Sequence, residues 1–139
     1  MNLFLDTSVI LAACYSDSGA SREIFRRAVG NNWTLISTPY VDQEVLRNLT
    51  NFPANARTNW QTLSAQLRFA EDVITFDRPT VFGPAKDRPI LFSAFAYADV
   101  LLTLDQHDFG SLMDRTFYGL PVLRPGAFLE RESAAGRLK

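Results

Sequence analysis

Leu3, Phe4 and Leu5 form an apolar run that stops at a carboxylate, Asp6, and apolar residues resume from Val9 to Ala13. A run this short and this apolar suits a strand buried on both faces, as occurs where helices cover both sides of a parallel sheet. Thr7 and Ser8, which follow Asp6, are residues that open helices. An ionisable group at the C-terminal end of a buried strand, at the start of a helix, stands where open α/β sheets place their chemistry. The competing role for Asp6 is that of a plain helix cap, a task Thr7 or Ser8 can fill without it. The arrangement recurs in the second half of the chain: Val100 to Leu104 is apolar except for Thr103 and ends directly at Asp105.

The sequence between these two stretches predicts alternating elements. Ala20 to Val29 carries Ile24, Phe25, Ala28 and Val29 at helical spacing, and Thr34 to Ser37 reads as a strand. Thr38-Pro39 supplies an N-cap and a first-turn proline for a helix running to about Leu49. Trp60, Leu63 and Leu67 share one face of a helix predicted over Ala54 to Ala70. Val73 to Phe76 reads as the next strand, and Asp77 to Lys86, with its prolines and glycine, as an irregular connection. Asp87-Arg88-Pro89 opens a helix containing Ile90, Leu91, Ala94, Phe95 and Ala98. A turn near Phe109 to Met113, a last strand near Pro121 to Leu123 and a polar tail complete the chain. Strands alternating with helices in this way predict an α/β protein, a three-layer α/β/α sandwich around a mainly parallel central sheet. At 139 residues the chain has the size of one domain. That domain is predicted over residues 1–125, with residues 126–139 as a C-terminal tail, a short helix or partly disordered.

Composition narrows the class of function. With 47% hydrophobic and 21% charged residues the chain reads as a soluble globular protein. Its formal net charge of −1 argues against coating nucleic acid through bulk positive charge, yet leaves room for a local basic groove around an acidic centre. The one cysteine, Cys14, allows no internal disulfide and reads as a buried thiol. No basic region leads into an apolar core and cleavage site, and no apolar run approaches a bilayer's thickness, so a cytoplasmic protein with no membrane contact is expected.

The chemistry lies in the acids. Two strands end in aspartate, Asp6 and Asp105, and two helices carry an acid in their first turns, Glu44 and Asp87. In a parallel sheet the strand C-termini and the following helix N-termini share one edge, so the four can converge. Four converging carboxylates repel one another unless a cation intervenes, and hard divalent ions such as Mg²⁺ or Mn²⁺ are the partners that oxygen ligands select. The chemistry this supports is hydrolysis of a phosphodiester by metal-activated water. The same repulsion predicts that Asp6→Asn or Asp105→Asn leaves the metal-free protein no less stable than wild type. Thr7 and Thr103, beside the strand-end aspartates, are placed to hydrogen-bond those carboxylates. Asp17, Asp42 and Asp99 read as caps or solvated charges, and Asp108, three residues beyond Asp105 in the same turn, sits between the two readings. His107 reads as an exposed loop residue. Arg22, Arg26, Arg27, Lys86 and Arg88 are candidates for a cationic rim that holds phosphate on either side of the acidic centre, with ordinary solvated helix faces as the alternative. The chain has no nucleophile elbow, no glycine-rich phosphate loop and no Cys/His cluster for zinc.

Phe-Leu-Asp-Thr-Ser-Val-Ile-Leu at the start, Pro-Tyr-Val-Asp-Gln-Glu-Val-Leu around Glu44, and Asp87-Arg88-Pro89-Ile90 leading through to Ala98-Asp99-Val100-Leu101-Leu102-Thr103-Leu104-Asp105-Gln106-His107-Asp108-Phe109 resemble the motifs of PIN-domain proteins. The resemblance covers about residues 1 to 125. It implies a divalent-metal-dependent ribonuclease acting on RNA, often the VapC-like toxin of a bacterial toxin–antitoxin pair with an antitoxin protein as partner. Carried over by position, Asp6, Glu44, Asp87 and Asp105 form the acidic quartet that binds Mg²⁺ or Mn²⁺, with Asp108 as an additional ligand. Arg88-Pro89 directly after Asp87 departs from the alanine-rich segment found there in the common toxins. A homodimer is one arrangement open to such a chain. Two other readings stand beside the nuclease: a non-catalytic PIN-fold module that binds RNA or protein, and a metal-dependent phosphatase with Asp6 as nucleophile. Ser8 weighs against the latter, because it stands where a second aspartate would usually be.

Overall fold

The structure, a computed structural model, describes residues 1–139. Strand β1, Asn2–Leu5, lies near the middle of one six-stranded sheet, with Leu3, Phe4 and Leu5 each fully buried. Successive side chains of a strand point to opposite faces, so full burial of all three means that both faces are covered. Each such side chain contributes roughly 1.5–3 kcal/mol by leaving water. Helix α1, Thr7–Tyr15, starts at the end of β1, with Asp6 as its N-cap. Helix α2, Ala20–Ala28, leads to β2, Thr34–Ser37, then to α3, Pro39–Leu49, and α4, Ala54–Ser64. Strand β3, Leu67–Phe69, pairs parallel to β2 at the sheet edge. A long connection ends in one 3-10 turn, Ala85–Asp87, and runs straight into α5, Arg88–Tyr97. Strand β4, Val100–Leu102, returns beside β1. A hairpin of β5, Arg115–Phe117, and β6, Leu120–Leu123, follows, and α6, Pro125–Ala134, is the last helix.

The strand order is β3-β2-β1-β4-β6-β5, parallel throughout except for β5. From β1 the chain builds outward through β2 and β3 on one side, then returns to build through β4 on the other. The crevice between the C-terminal ends of β1 and β4 is therefore a topological switch point, the place where open α/β sheets bind ligands.

Three local expectations are revised, that for the C-terminal tail is narrowed to its helical alternative, and one strand is new. Helix α4 stops at Ser64, and Leu67–Phe69, read from sequence as helix, is the edge strand. Val73 to Phe76 is not a strand: the Val73 amide donates to Ser93 Oγ at 2.8 Å, and Phe76 stacks on Phe92 with ring centroids 5.0 Å apart. Phe76 packs into an aromatic cluster, while Ile74 is exposed and no strand pairs with the segment. Thr38 makes no capping hydrogen bond; the Asp72 carboxylate accepts from the Tyr40 amide at 3.2 Å and serves the N-terminus of α3 in its place. Residues 125–134 form a regular helix with Phe128 buried edge-on against Trp33, and the chain end folds back so that Arg27 donates to the Lys139 carbonyl at 2.7 Å. Strand β5, absent from the sequence reading, is turned against β6 by Tyr118 and Gly119, both at positive φ as a tight hairpin turn of this kind demands.

Candidate metal centre

Asp6 is buried where β1 hands over to α1, and its carboxylate is filled with donors. Oδ1 accepts from the Thr7 amide at 2.7 Å, while Oδ2 accepts from Ser8 Oγ at 2.8 Å and from Thr103 Oγ1 at 2.7 Å. Both hydroxyls in turn accept from backbone of the β4 exit, Ser8 from the Leu104 amide at 2.9 Å and Thr103 from the Asp105 amide at 3.0 Å. Asp6 therefore ties the ends of β1 and β4 together at the switch point. Burial pushes its carboxyl above the usual range, against those three donors, and the Asp105 carboxylate adds a smaller upward push.

Asp87 is the opposite case. It ends the 3-10 turn before α5, is 5% exposed, and its Oδ2 has no hydrogen-bond partner. Burial, followed by the neighbouring Asp108, pushes its carboxyl up to about 7. One carboxylate oxygen from each of Asp87, Asp105 and Asp108 lies within 4.8 Å of the others. Asp108 reaches this cluster because the turn after β4 folds it back: its amide donates to Asp105 Oδ1 at 2.9 Å. The Lys86 ammonium lies 2.8 Å from Asp108 Oδ2 and 4.0 Å from Asp87 Oδ2, and chiefly through that lysine Asp108 is held well below the usual carboxylate range. His107, itself exposed, adds a contact from Nδ1 to Asp108 at 2.9 Å. Glu44, from α3, joins through Thr7, whose hydroxyl donates to Oε1 at 3.3 Å; burial and then the charge of Asp6 raise its carboxyl.

The structure thus gathers Asp87, Asp105 and Asp108 into one compact trio, with Asp6 and Glu44 beside it and Thr7 and Thr103 as the hydroxyls that link them. A buried carboxylate oxygen with no donor is costly unless a cation completes it, and carboxylate oxygens are the donor set that Mg²⁺ and Mn²⁺ select. The trio fits such an ion. The candidate cations fall in two places. Lys86 contacts the trio, and Arg88, two residues further on, gives its guanidinium to the Phe82 carbonyl at 3.0 Å. Arg22 donates to the Ala13 carbonyl at 2.7 Å, near the end of α1 remote from Asp6, while Arg26 and Arg27 are paired with Glu23 at 3.1 and 2.7 Å. Sequence reasoning assigned Ser8 only to the helix start and Lys86 only to a phosphate rim. Their adjacency to Asp6 and Asp87 was the available signal.

No family model matches the sequence, and no curated protein matches it significantly. Among solved structures, a chain in the crystal structure of VapBC2 from Rickettsia felis bound to a DNA fragment from their promoter is similar, with TM-score 0.61 and 13% identity. The superposition covers 88% of this chain and 97% of that one. At this identity the likeness is one of fold, and it agrees with the motifs quoted above: the chain has a PIN-like fold.

Proposed function

We propose that this chain is a divalent-metal-dependent endoribonuclease that hydrolyses RNA phosphodiester bonds. The observation that carries the reading is the buried, unpartnered Oδ2 of Asp87 in a trio of carboxylates at the switch point of the sheet. Asp87, Asp105 and Asp108 would hold Mg²⁺ or Mn²⁺, with Asp6 and Glu44 completing the negative face. When bound there, the ion polarises a phosphodiester and lowers the pKa of water. The protein's own part is to position. Asp6 locks Ser8 and Thr103, which hold the backbone of Leu104 and Asp105, so the β4 exit is fixed against the β1 exit. Thr7 does the same for Glu44. Lys86 and Arg88 are the cations nearest the centre, and Arg22, Arg26 and Arg27 would meet RNA only farther along the surface.

The resemblance to PIN-domain toxins, together with a structural neighbour described as VapBC2 on promoter DNA, supports an antitoxin protein as partner of a cytoplasmic enzyme. No helix is long and apolar enough to cross a membrane. The test is to incubate single-stranded RNA with wild type and Asp105→Asn in Mn²⁺ and in EDTA. Cleavage by wild type in Mn²⁺ alone is the expected result; cleavage in EDTA, or by Asp105→Asn at the wild-type rate, overturns the reading.

A further inference from the structure

The chain carries only two lysines among its 14 basic residues, and one of them, Lys86, points its ammonium into the acidic trio. The other is the C-terminal residue. Lysine offers a compact point charge, where arginine offers a broad planar fork, so it is the basic side chain that can stand in a space sized for an ion. Lys86 Nζ lies 2.8 Å from Asp108 Oδ2 and 4.0 Å from Asp87 Oδ2. Its backbone is anchored as well, because the Tyr40 hydroxyl donates to the Lys86 carbonyl and the residue sits in the 3-10 turn locked to α5.

We infer that Lys86 is a built-in cation filling one of two cation positions in this centre, so that the native chain takes a single divalent ion. The inference rests on the proposed metal site and specifies its occupancy. Paired ions in two-metal sites stand about 3.5–4 Å apart. In a trio whose oxygens lie within 4.8 Å of one another, an ammonium 2.8 Å from Asp108 Oδ2 and 4.0 Å from Asp87 Oδ2 already stands where a second ion would have to approach. Charge points the same way: an ammonium and one divalent ion together neutralise three carboxylates. Asp6 is already compensated by its amide and hydroxyl donors.

The test counts Mn²⁺ bound to wild type and to Lys86→Gln by calorimetric titration, with the free ion followed by electron paramagnetic resonance. Lys86 is 70% exposed, so the variant keeps the fold. The expected result is one ion per wild-type chain and two per variant chain. Two ions on wild type, or one on both proteins, whether tighter or not on the variant, overturns the inference while leaving the metal site standing. No ion on either protein overturns the site and the inference together.

Discussion

Asp6 and Asp87 are both buried carboxylates at the same edge of the same sheet, and their surroundings are opposed. Asp6 receives three hydrogen bonds and joins two strand ends; Asp87 leaves an oxygen with no donor and has its charge opposed by burial. A carboxylate surrounded by donors holds structure, and one left bare is held in place by the fold for something else. The pair shows that convergence of acids is not enough to assign equal roles: under the proposed metal site Asp87, Asp105 and Asp108 are the first candidates for ligands, while the hydrogen bonds of Asp6 also tie the strand ends around them.

The largest effect that sharpens this contrast is on turnover. Asp87→Asn should lower Mn²⁺-dependent RNA cleavage by more than about 100-fold, beyond the 10–100-fold that loss of a supporting residue costs. Thr103→Val, which removes one donor to Asp6, should fall inside that supporting range. Single-turnover cleavage rates of the two variants at saturating RNA check the order, and equal losses would erase the distinction.

Next comes stability without metal. Uniform repulsion among the acids predicts that Asp6→Asn does no harm, and the structure revises that expectation. An amide at position 6 must turn its NH₂ toward either the Thr7 amide or the two hydroxyls, so Asp6→Asn should destabilise the metal-free protein by about 2 kcal/mol. Asp87→Asn removes a buried charge that nothing donates to, and should leave the metal-free protein at least as stable as wild type. Urea unfolding in EDTA measures both, and the same sign for the two variants would break the comparison.

The sequence made one part of this legible and hid another. Apolar runs ending in Asp6 and Asp105, broken only by Thr103, announced two central strands and their shared edge, because burial on both faces leaves little room for polar positions to blur the pattern. Leu67 misled for the converse reason: it completes a helical i, i+3, i+7 series with Trp60 and Leu63, yet is buried from an edge strand whose next residues, Arg68 and Phe69, are exposed. Strand β5 has too few residues for a period to show, and only Tyr118-Gly119 marked its turn. In the site, the strand-end acids were legible. The fold-back of Asp108 onto Asp105 and the reach of Lys86 into the trio depend on turns and on side-chain direction, which spacing does not encode.

A smaller effect is the pH dependence of the metal-free protein. The folded pKa of Asp87, about 7, exceeds its unfolded value near 3.8, so the folded chain keeps the proton longer. The resulting stability is fully present below about pH 4 and is lost as pH rises through about 7. Asp6 and Glu44, also raised, act in the same direction, whereas Asp108, lowered, acts only toward acid. Unfolding in EDTA should therefore become easier from about pH 4 to 7, with a shallower slope in Asp87→Asn. Smallest is Arg26→Gln, which breaks an exposed pair with Glu23 and should shift stability by less than about 0.5 kcal/mol.

The most direct measurement is thermal unfolding of wild type and Asp87→Asn across a Mn²⁺ series. Binding to the folded state alone stabilises it by about 2.7 kcal/mol when free ion reaches one hundred times its Kd. Wild type should climb with Mn²⁺ and Asp87→Asn should stay flat over the same range. A wild-type melting temperature that does not move, or a variant that climbs alongside it, would contradict the assignment of Asp87 and its neighbours as the metal centre.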